Sequence, residues 1–534
     1  MTCRCIRHTE LPHTSKLFAD FIYDFDRVRE FYPYPPYAAE SFAAAAGMVR
    51  MEPGRRAQLV EALAQENQNA GQAVLNNLDR LSRQDTLVVA TGQQAGLYTG
   101  PIYTIYKALT AVRLAVELTE RGTPAVPIFW LATEDHDLAE VNHSWVFDGS
   151  GQPVRLQATA EAQPNQPVGT IRLTGNDGGR LREALAALPF GGEVAGLALE
   201  AYADGVTFAE GFKSLLARLL SRHGVLLLDP QSPTLRRLAA PVIARVIREA
   251  PDLTAALLRR GKDLETSGYH AQVHMEEKTS LFFLIENGRR THLTRSSQGY
   301  TENGTLLTPD QLLARLDRSP EDFSPNALLR PVVQDYLLPT VAYIGGPAEL
   351  AYLAQAEVLY RRVLGRMPVA TPRAGFTILD ARAEKLMKRY GLDLADVLHG
   401  PASLEHRIAL SLAPPELQAA FHAANREVES ALDGLSGKLL AFDPTLAAAL
   451  EKSRRKIRYQ LAKIQGKAAR EAMRRTERAR SDATYLINLI LPEKTLQERL
   501  YSVLPFLARH GLGLLDDIAK AIQFGCPDHQ ILSA

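Results

Sequence analysis

The chain has 534 residues, with 61 Lys and Arg against 60 Asp and Glu for a formal charge of +1, and 46% hydrophobic residues. That length allows about two to four domains. A charged fraction of 23% excludes wholesale disorder, and near-neutrality removes the global signature of a nucleic-acid or membrane-surface binder. Three cysteines, Cys3, Cys5 and Cys526, supply no disulfide framework. No apolar run reaches the roughly 20 residues of a membrane span or resembles a signal peptide, so a cytoplasmic protein with no membrane partner is expected.

In chain order, Leu59, Leu63, Ala70, Val74 and Leu78 mark one buried face of a helix over 55–81, and Thr86 to Ala90 is a short buried strand. A helix over 103–121, a strand over 126–132, a helix over 208–222 and a strand over 225–228 follow. The alternation continues with a helix over 234–249, a strand over 341–344, a helix over 348–364 and a strand at 369–370. Such alternation predicts an α/β fold, a Rossmann-like doubly wound parallel sheet covered on both faces. Two insertions interrupt it, an antiparallel one at about 143–192 and one at about 268–310, where Glu286-Asn287-Gly288 marks a hairpin turn. The core is therefore expected over 1–375.

The last third changes character. Leu417, Phe421, Ala424, Val428, Ala431 and Leu435 recur at alternating steps of four and three, the spacing of a coiled-coil seam. Asp443 and Pro444 cap a second helix, striped with Leu446, Leu450, Ile457, Leu461, Ile464 and Ala468, so residues 414–484 form a coiled-coil hairpin within a helical region over 376–484. A C-terminal helical segment over 485–534 is expected to pack on the core. Two long helices carry more apolar surface than one mutual contact hides, which predicts a homodimer. The second arm holds twelve Lys or Arg against three Glu over 451–480. With Tyr459 as its one aromatic residue, a solvated face meeting acidic neighbours is favoured over polyanion binding.

Chemistry concentrates at strand ends. After the first strand, Thr91, Gly92, Gln93, Gln94, Gly96, Thr99, Gly100 and Tyr103 form a glycine-rich loop in which Gly100-Pro101 opens a helix carrying Lys107. Such a helix start offers free N–H groups to an anion. The loop is neither a Walker A nor a dinucleotide fingerprint. The second strand releases Glu134, Asp135, His136 and Asp137, then Glu140 and His143, six ionisable groups in the eleven positions 133–143, a density that favours proton transfer or ligand binding. Their spacing matches no standard zinc signature, and no metal is expected there or at Cys3 and Cys5. Arg330, Gln334 and Asp335 flank an apolar run read as a third loop. Tyr343-Ile344-Gly345-Gly346-Pro347-Ala348-Glu349 repeats the strand, Gly-Pro, helix pattern. Two such units are expected to line one crevice, with Arg330 as a carboxylate or phosphate partner.

The runs Thr-Gly-Gln-Gln-Ala-Gly-Leu-Tyr-Thr-Gly-Pro from Thr91, Phe-Trp-Leu-Ala-Thr-Glu-Asp-His-Asp from Phe129, Leu-Leu-Arg-Pro-Val-Val-Gln-Asp from Leu328 and Tyr-Ile-Gly-Gly-Pro-Ala-Glu from Tyr343 resemble the cysteine-adding enzymes of bacillithiol biosynthesis. The resemblance extends from the opening Cys-Arg-Cys-Ile to the segment Gln497 to Phe506. It implies a Rossmann-like core with two connecting insertions, a coiled coil that dimerises, and ligation of L-cysteine to the amine of glucosaminyl malate. It also suggests ATP or ADP as a nucleotide partner. The fold so implied is similar to the nucleotidylyltransferase and class I synthetase group, although neither a His-Ile-Gly-His nor a Lys-Met-Ser-Lys-Ser motif occurs.

On this reading His136, held by Asp135 or Asp137, is the base that takes the amine proton. Lys107 and the helix start at Gly100 offset negative charge. The competing readings are a non-catalytic, nucleotide-regulated coiled-coil scaffold and RNA binding through 451–480. The crowded 134–143 segment favours the enzyme, and no nucleic-acid partner is expected.

Overall fold

Five apolar segments pair edge to edge in parallel: β1 (Leu87–Gln94), β2 (Ala125–Ala132), β3 (Leu226–Leu228), β4 (Thr340–Gly345) and β5 (Val369–Pro372). Their order across the sheet is β5-β4-β1-β2-β3, so consecutive strands step outward in one direction from β1 and then restart on its other side at β4. The computed structural model describes residues 4–302 and 304–534, and Cys3 lies outside them.

Side chains alternate between two cores. Val88, Ala90, Ile128 and Leu228 join one cluster, while Leu87, Val89, Ile344 and Val369 join the other. Both faces are dry, as a parallel sheet requires, and each fully buried aliphatic side chain contributes about 1.5–3 kcal/mol. The faces are covered by helices that include α1 (Tyr103–Glu120), α2 (Phe208–Leu220), α3 (Pro233–Thr266), α4 (Arg330–Leu337) and α5 (Pro347–Leu359).

Several boundaries differ from those expected. The helix over 55–81 is two helices, Pro53–Glu66 and Gln72–Ser82. Asn67 breaks it, because its side chain donates to the carbonyls of Leu63 and Leu227 and accepts from Leu227 N–H, tying the chain to β3. Helix α3 runs 17 residues past the expected end, through Pro251. An internal proline costs about 3 kcal/mol, and burial of Leu253, Leu257 and Leu264 beyond it offsets that. The expected third loop at 330 is helix α4, with Pro331 in its first turn, where a missing N–H costs nothing.

Both insertions are antiparallel. Strands His143–Phe147, Pro153–Ala160 and Leu173–Asn176 form one sheet, and Phe282–Glu286 pairs with Arg289–Thr291. In the latter hairpin Asn287 and Gly288 both have positive φ, 49° and 74°, as a two-residue turn matched to strand twist demands.

The chain divides into two compact units. The first comprises the chain up to Gly149, Pro153–Thr377 and Glu498–Leu532, and holds the sheet. The second comprises Ser150–Gln152, Ile378–Gln497 and the last two residues. Residues 485–534 are thus shared between the units. In the second unit α6 (Pro415–Phe442) and α7 (Pro444–Arg474) form a hairpin, with the Asp443 carboxylate accepting from Thr445 N–H at 2.7 Å. Along α6 Leu432 is the one buried residue, and Leu435 and Ile464 remain half exposed. No helix among the described residues is long and apolar enough to cross a membrane.

Candidate functional site

Strands β1, β2 and β4 all end at the point where the sheet order reverses. The polypeptide diverges there to opposite faces and leaves a crevice outside the carboxyl edge. A cavity of about 450 Å³ occupies it, within the range of small-molecule sites. Its wall begins with Gly92, Gln93 and Gln94 on β1. Gly92 is obligatory, since a Cβ there would lie 2.7 Å from the Trp130 carbonyl oxygen on β2.

Behind that wall stands Lys107, buried on α1. Its ammonium donates to the Gly92 carbonyl, to Gln93 Oε1 at 3.2 Å and to Glu349 Oε2 at 2.5 Å, which uses all three protons. Burial pushes the Lys107 ammonium below the usual lysine value, with Glu349 opposing. Burial works against ionisation of Glu349 as well. Lys107, the Gly346 N–H at 2.9 Å and the Tyr343 hydroxyl at 2.6 Å outweigh it and hold that carboxyl below its usual range. Tyr343 and Tyr352 in turn accept from Arg330, at 3.4 and 2.8 Å, while Gln334 Oε1 accepts from it at 3.1 Å.

Three further guanidinium groups reach the cavity. Arg373, beyond β5, is gripped by Glu498 through two bonds of 2.9 and 2.6 Å and lies over the Tyr103 ring. Burial opposes ionisation of Glu498, but Arg373 wins and draws the carboxyl down to about 2. Arg290, on the hairpin at 282–291, stacks 4.0 Å over Phe283 and donates to His136 Nδ1 at 3.2 Å. Arg499 completes the set. Opposite in charge are Asp135 and Glu140, both accepting from the single amide nitrogen of Gln94, at 2.5 and 2.9 Å. Glu134 lies deeper and pairs with buried Arg236.

Among the expected residues, Gly92, Gln93, Gln94, Tyr103, Lys107, Glu134, Asp135, Arg330, Tyr343, Gly346 and Glu349 line this cavity. The others do not. Thr91 spends its hydroxyl on the Ile344 carbonyl of β4, and Gly345 lends its carbonyl to Arg373 N–H. Gly96, Thr99 and Gly100 fold into a tight turn held by Tyr202, whose hydroxyl donates to Gly96 O and accepts from Thr99 N–H. The helix start after Gly100 offers no anion site, because Thr104 and Ile105 N–H bond back to Pro101 and Ile102, and Ile102 N–H is taken by Tyr501 O.

Gln334 supports Arg330, and Asp335 is fully buried against the Tyr360 hydroxyl, its carboxyl pushed up by burial. His143 sits in the first insertion, its imidazole pushed down by burial. Asp137 caps the short helix Leu138–Val141, and Asp135 accepts the His136 backbone N–H, so the imidazole has Arg290 at 3.2 Å from Nδ1 and the Asp135 carboxylate at 3.8 Å. Among the described residues no group of three or more His, Cys, Asp or Glu is placed to hold a metal ion.

Sequence reasoning passed over Arg290, Arg373, Arg499, Tyr352 and the cavity role of Glu140. For Arg373 a signal existed, its position just past the last strand of the parallel sheet. Arg290 and Arg499 come from a hairpin and a late helix that only tertiary folding brings in.

Comparison with known proteins places this geometry. Residues 1–374 match the N-terminal Rossmann-like domain of the bacillithiol biosynthesis BshC family, and residues 376–534 match its C-terminal coiled-coil domain. A relative from Solibacter usitatus, named "Putative cysteine ligase BshC", is 51% identical over the full length of both chains. Relatives with the same name from Koribacter versatilis and Salinibacter ruber are 38% identical over 99% of both chains, and 32% identical over 97% of this chain and 96% of the other.

Proposed function

The chain belongs to the BshC family of bacillithiol biosynthesis and is a ligase, and from that premise we propose that it joins the carboxyl group of L-cysteine to the amine of glucosaminyl malate in the cavity at the sheet's switch point. The observation that carries this reading is the composition of the cavity wall: four guanidinium groups and the carboxylates of Asp135 and Glu140, which share the Gln94 amide, line one 450 Å³ space. Arginine forks match the two carboxylates of a malate group. Asp135 and Glu140 match an ammonium or attacking amine.

In this proposal the amine attacks the activated acyl carbon, the nitrogen, positively charged once the new bond forms, gives its proton to Asp135, and the bond from the acyl carbon to the activating group breaks, that group leaving as an anion with the electron pair. That nitrogen is far more acidic than the free amine, so a carboxylate suffices as acceptor. His136 acts through Arg290, as a positioning residue. Lys107 positions Glu349 and the end of β1. Acyl activation is the part a nucleotide would supply, and Arg290, Arg330 and Arg499 have the charge to receive its phosphates. The decisive assay combines purified protein, cysteine and glucosaminyl malate with and without ATP, and follows the thiol product by mass. No product under either condition sinks the reading.

For the second unit we propose a homodimer through the hairpin. Leu417, Leu435, Ile457 and Ile464 stay exposed along a regular seam, which a second copy would cover. A monomer in sedimentation at micromolar concentration removes that proposal. The arginines of the basic arm favour pairing over RNA binding, since Arg454 reaches Glu429 and Asp433 and Arg458 reaches Glu429.

A further inference from the structure

Cys5 and Cys526, 521 residues apart in sequence, meet in space. Cys5 lies on the strand Arg4–Ile6, which pairs antiparallel with the final strand so that Cys5 faces Gln530. Cys526 lies in the turn that leads into that final strand. Their Sγ atoms are 3.7 Å apart. A disulfide requires about 2.05 Å, so the two sulfurs, one on the ladder and one in the segment that leads into it, have to close this gap for the bond to form. Cys5 is exposed and Cys526 half-buried, the arrangement of an attacking thiol beside a resolving one.

We propose that Cys5 and Cys526 are a reversible redox site that takes a low-molecular-weight disulfide. The Cys5 thiolate attacks one sulfur of the small disulfide, forms a mixed disulfide and releases one thiol, which carries away the Cys5 proton. The Cys526 thiolate then attacks Cys5 Sγ, closes the intramolecular bond and expels the second thiol with the Cys526 proton. The protein dithiol loses two electrons and two protons, and the small disulfide gains both.

The bond ties the first strand to the last, and so closes nearly the whole chain into one loop. Such a closure restricts the unfolded chain far more than the folded one. The oxidised protein is therefore the more stable form. Among the described residues the first and last strands share a three-residue ladder, which the bond would lock. This inference does not depend on what the cavity binds.

The test uses the full-length protein, incubated with oxidised glutathione, alkylated, and mapped by peptide mass without reduction. Expected is a Cys5–Cys526 linked peptide pair in the unaltered protein and in Cys3→Ser, reversed by dithiothreitol. The oxidised form should melt at least about 3 °C higher than the reduced form, with the rise lost in Cys5→Ser and in Cys526→Ser. Glutathione retained on Cys5, a link that involves Cys3, unreacted thiols, or a correct link that leaves Tm unmoved each overturns the proposal.

Discussion

Gly100-Pro101 and Gly346-Pro347 are the same signal in sequence, a strand end followed by glycine, proline and a helix, yet they have opposite fates. At Gly346 the backbone is extended, helix α5 starts at the cavity wall, and Gly346, Pro347 and Glu349 all line the cavity. At Gly100 the chain passes through three consecutive positive φ values, Tyr98, Thr99 and Gly100 at 52°, 71° and 64°, and turns its amides inward. The first is an opening and the second a structural hinge. Glycine and proline state that the chain turns there; which way the amides point depends on what the turn packs against, Tyr202 and Tyr501 in the one case and open space in the other.

Lys107 joins the two, since it grows from the helix that Gly100 opens and ends on a carboxylate of the helix that Gly346 opens. Replacing it by alanine should produce the largest effect. With the Glu349 carboxylate and the Gly92 carbonyl stripped of their partner, about 3–5 kcal/mol of stability should disappear. Urea unfolding checks this. An unchanged midpoint would mean that the link carries no load.

Asp135 and His136 separate the cavity wall from its support. Asp135→Asn should lower ligase turnover by about 10²- to 10⁴-fold with unfolding unchanged, whereas His136→Ala should act mainly through KM by loosening Arg290. Steady-state kinetics on both variants decide it, and equal losses of turnover would return the base to His136.

Acid should weaken the first unit in two stages. Burial beside His529 pushes His8 from its usual 6.5 down to about 4, so between those values the unfolded chain takes a proton that the folded one refuses, and stability falls as pH falls. Glu498, held at about 2 instead of 4.5, contributes stability that is fully present above 4.5 and lost as pH drops towards 2. Denaturation midpoints across that range should show the lower stage vanish in Glu498→Gln and the upper stage remain.

The smallest effect tests the glycines themselves. Gly100→Ala should cost about 1–3 kcal/mol, because φ 64° with ψ −157° suits glycine alone. Gly346→Ala should cost almost no stability, its φ of −82° being ordinary, but its methyl group would stand 3.6 Å from Glu349 Oε2 and raise KM several-fold. Paired melting and kinetic measurements compare the two. The reverse pattern would exchange the roles assigned to the two turns.

The order of elements was legible because it rests on local periodicity. Short apolar runs such as Val88 to Ala90 and Ile128 to Leu131, set between turn signals, suit a strand covered on both faces, and the Asn287-Gly288 turn states its own geometry. For the same reason the cavity could be placed at strand ends carrying Gly92, Asp135 and Gly346. Helix ends were less legible, as at Asn67 and Pro251, where a tertiary partner decides whether the chain breaks or continues.

What the sequence determined by itself is the fold class, the strand ends that border the cavity, and the family, since each follows from runs of residues local in the chain. What only the tertiary structure decided is which charges are spent and which are open. Lys107 is consumed by Glu349, Asp335 by Tyr360 and Arg373 by Glu498, while Arg290 and Arg499 enter from segments remote in sequence. The physical reason is that the worth of a charge depends on burial and on its nearest counter-charge, and both are set by residues that lie far away along the chain.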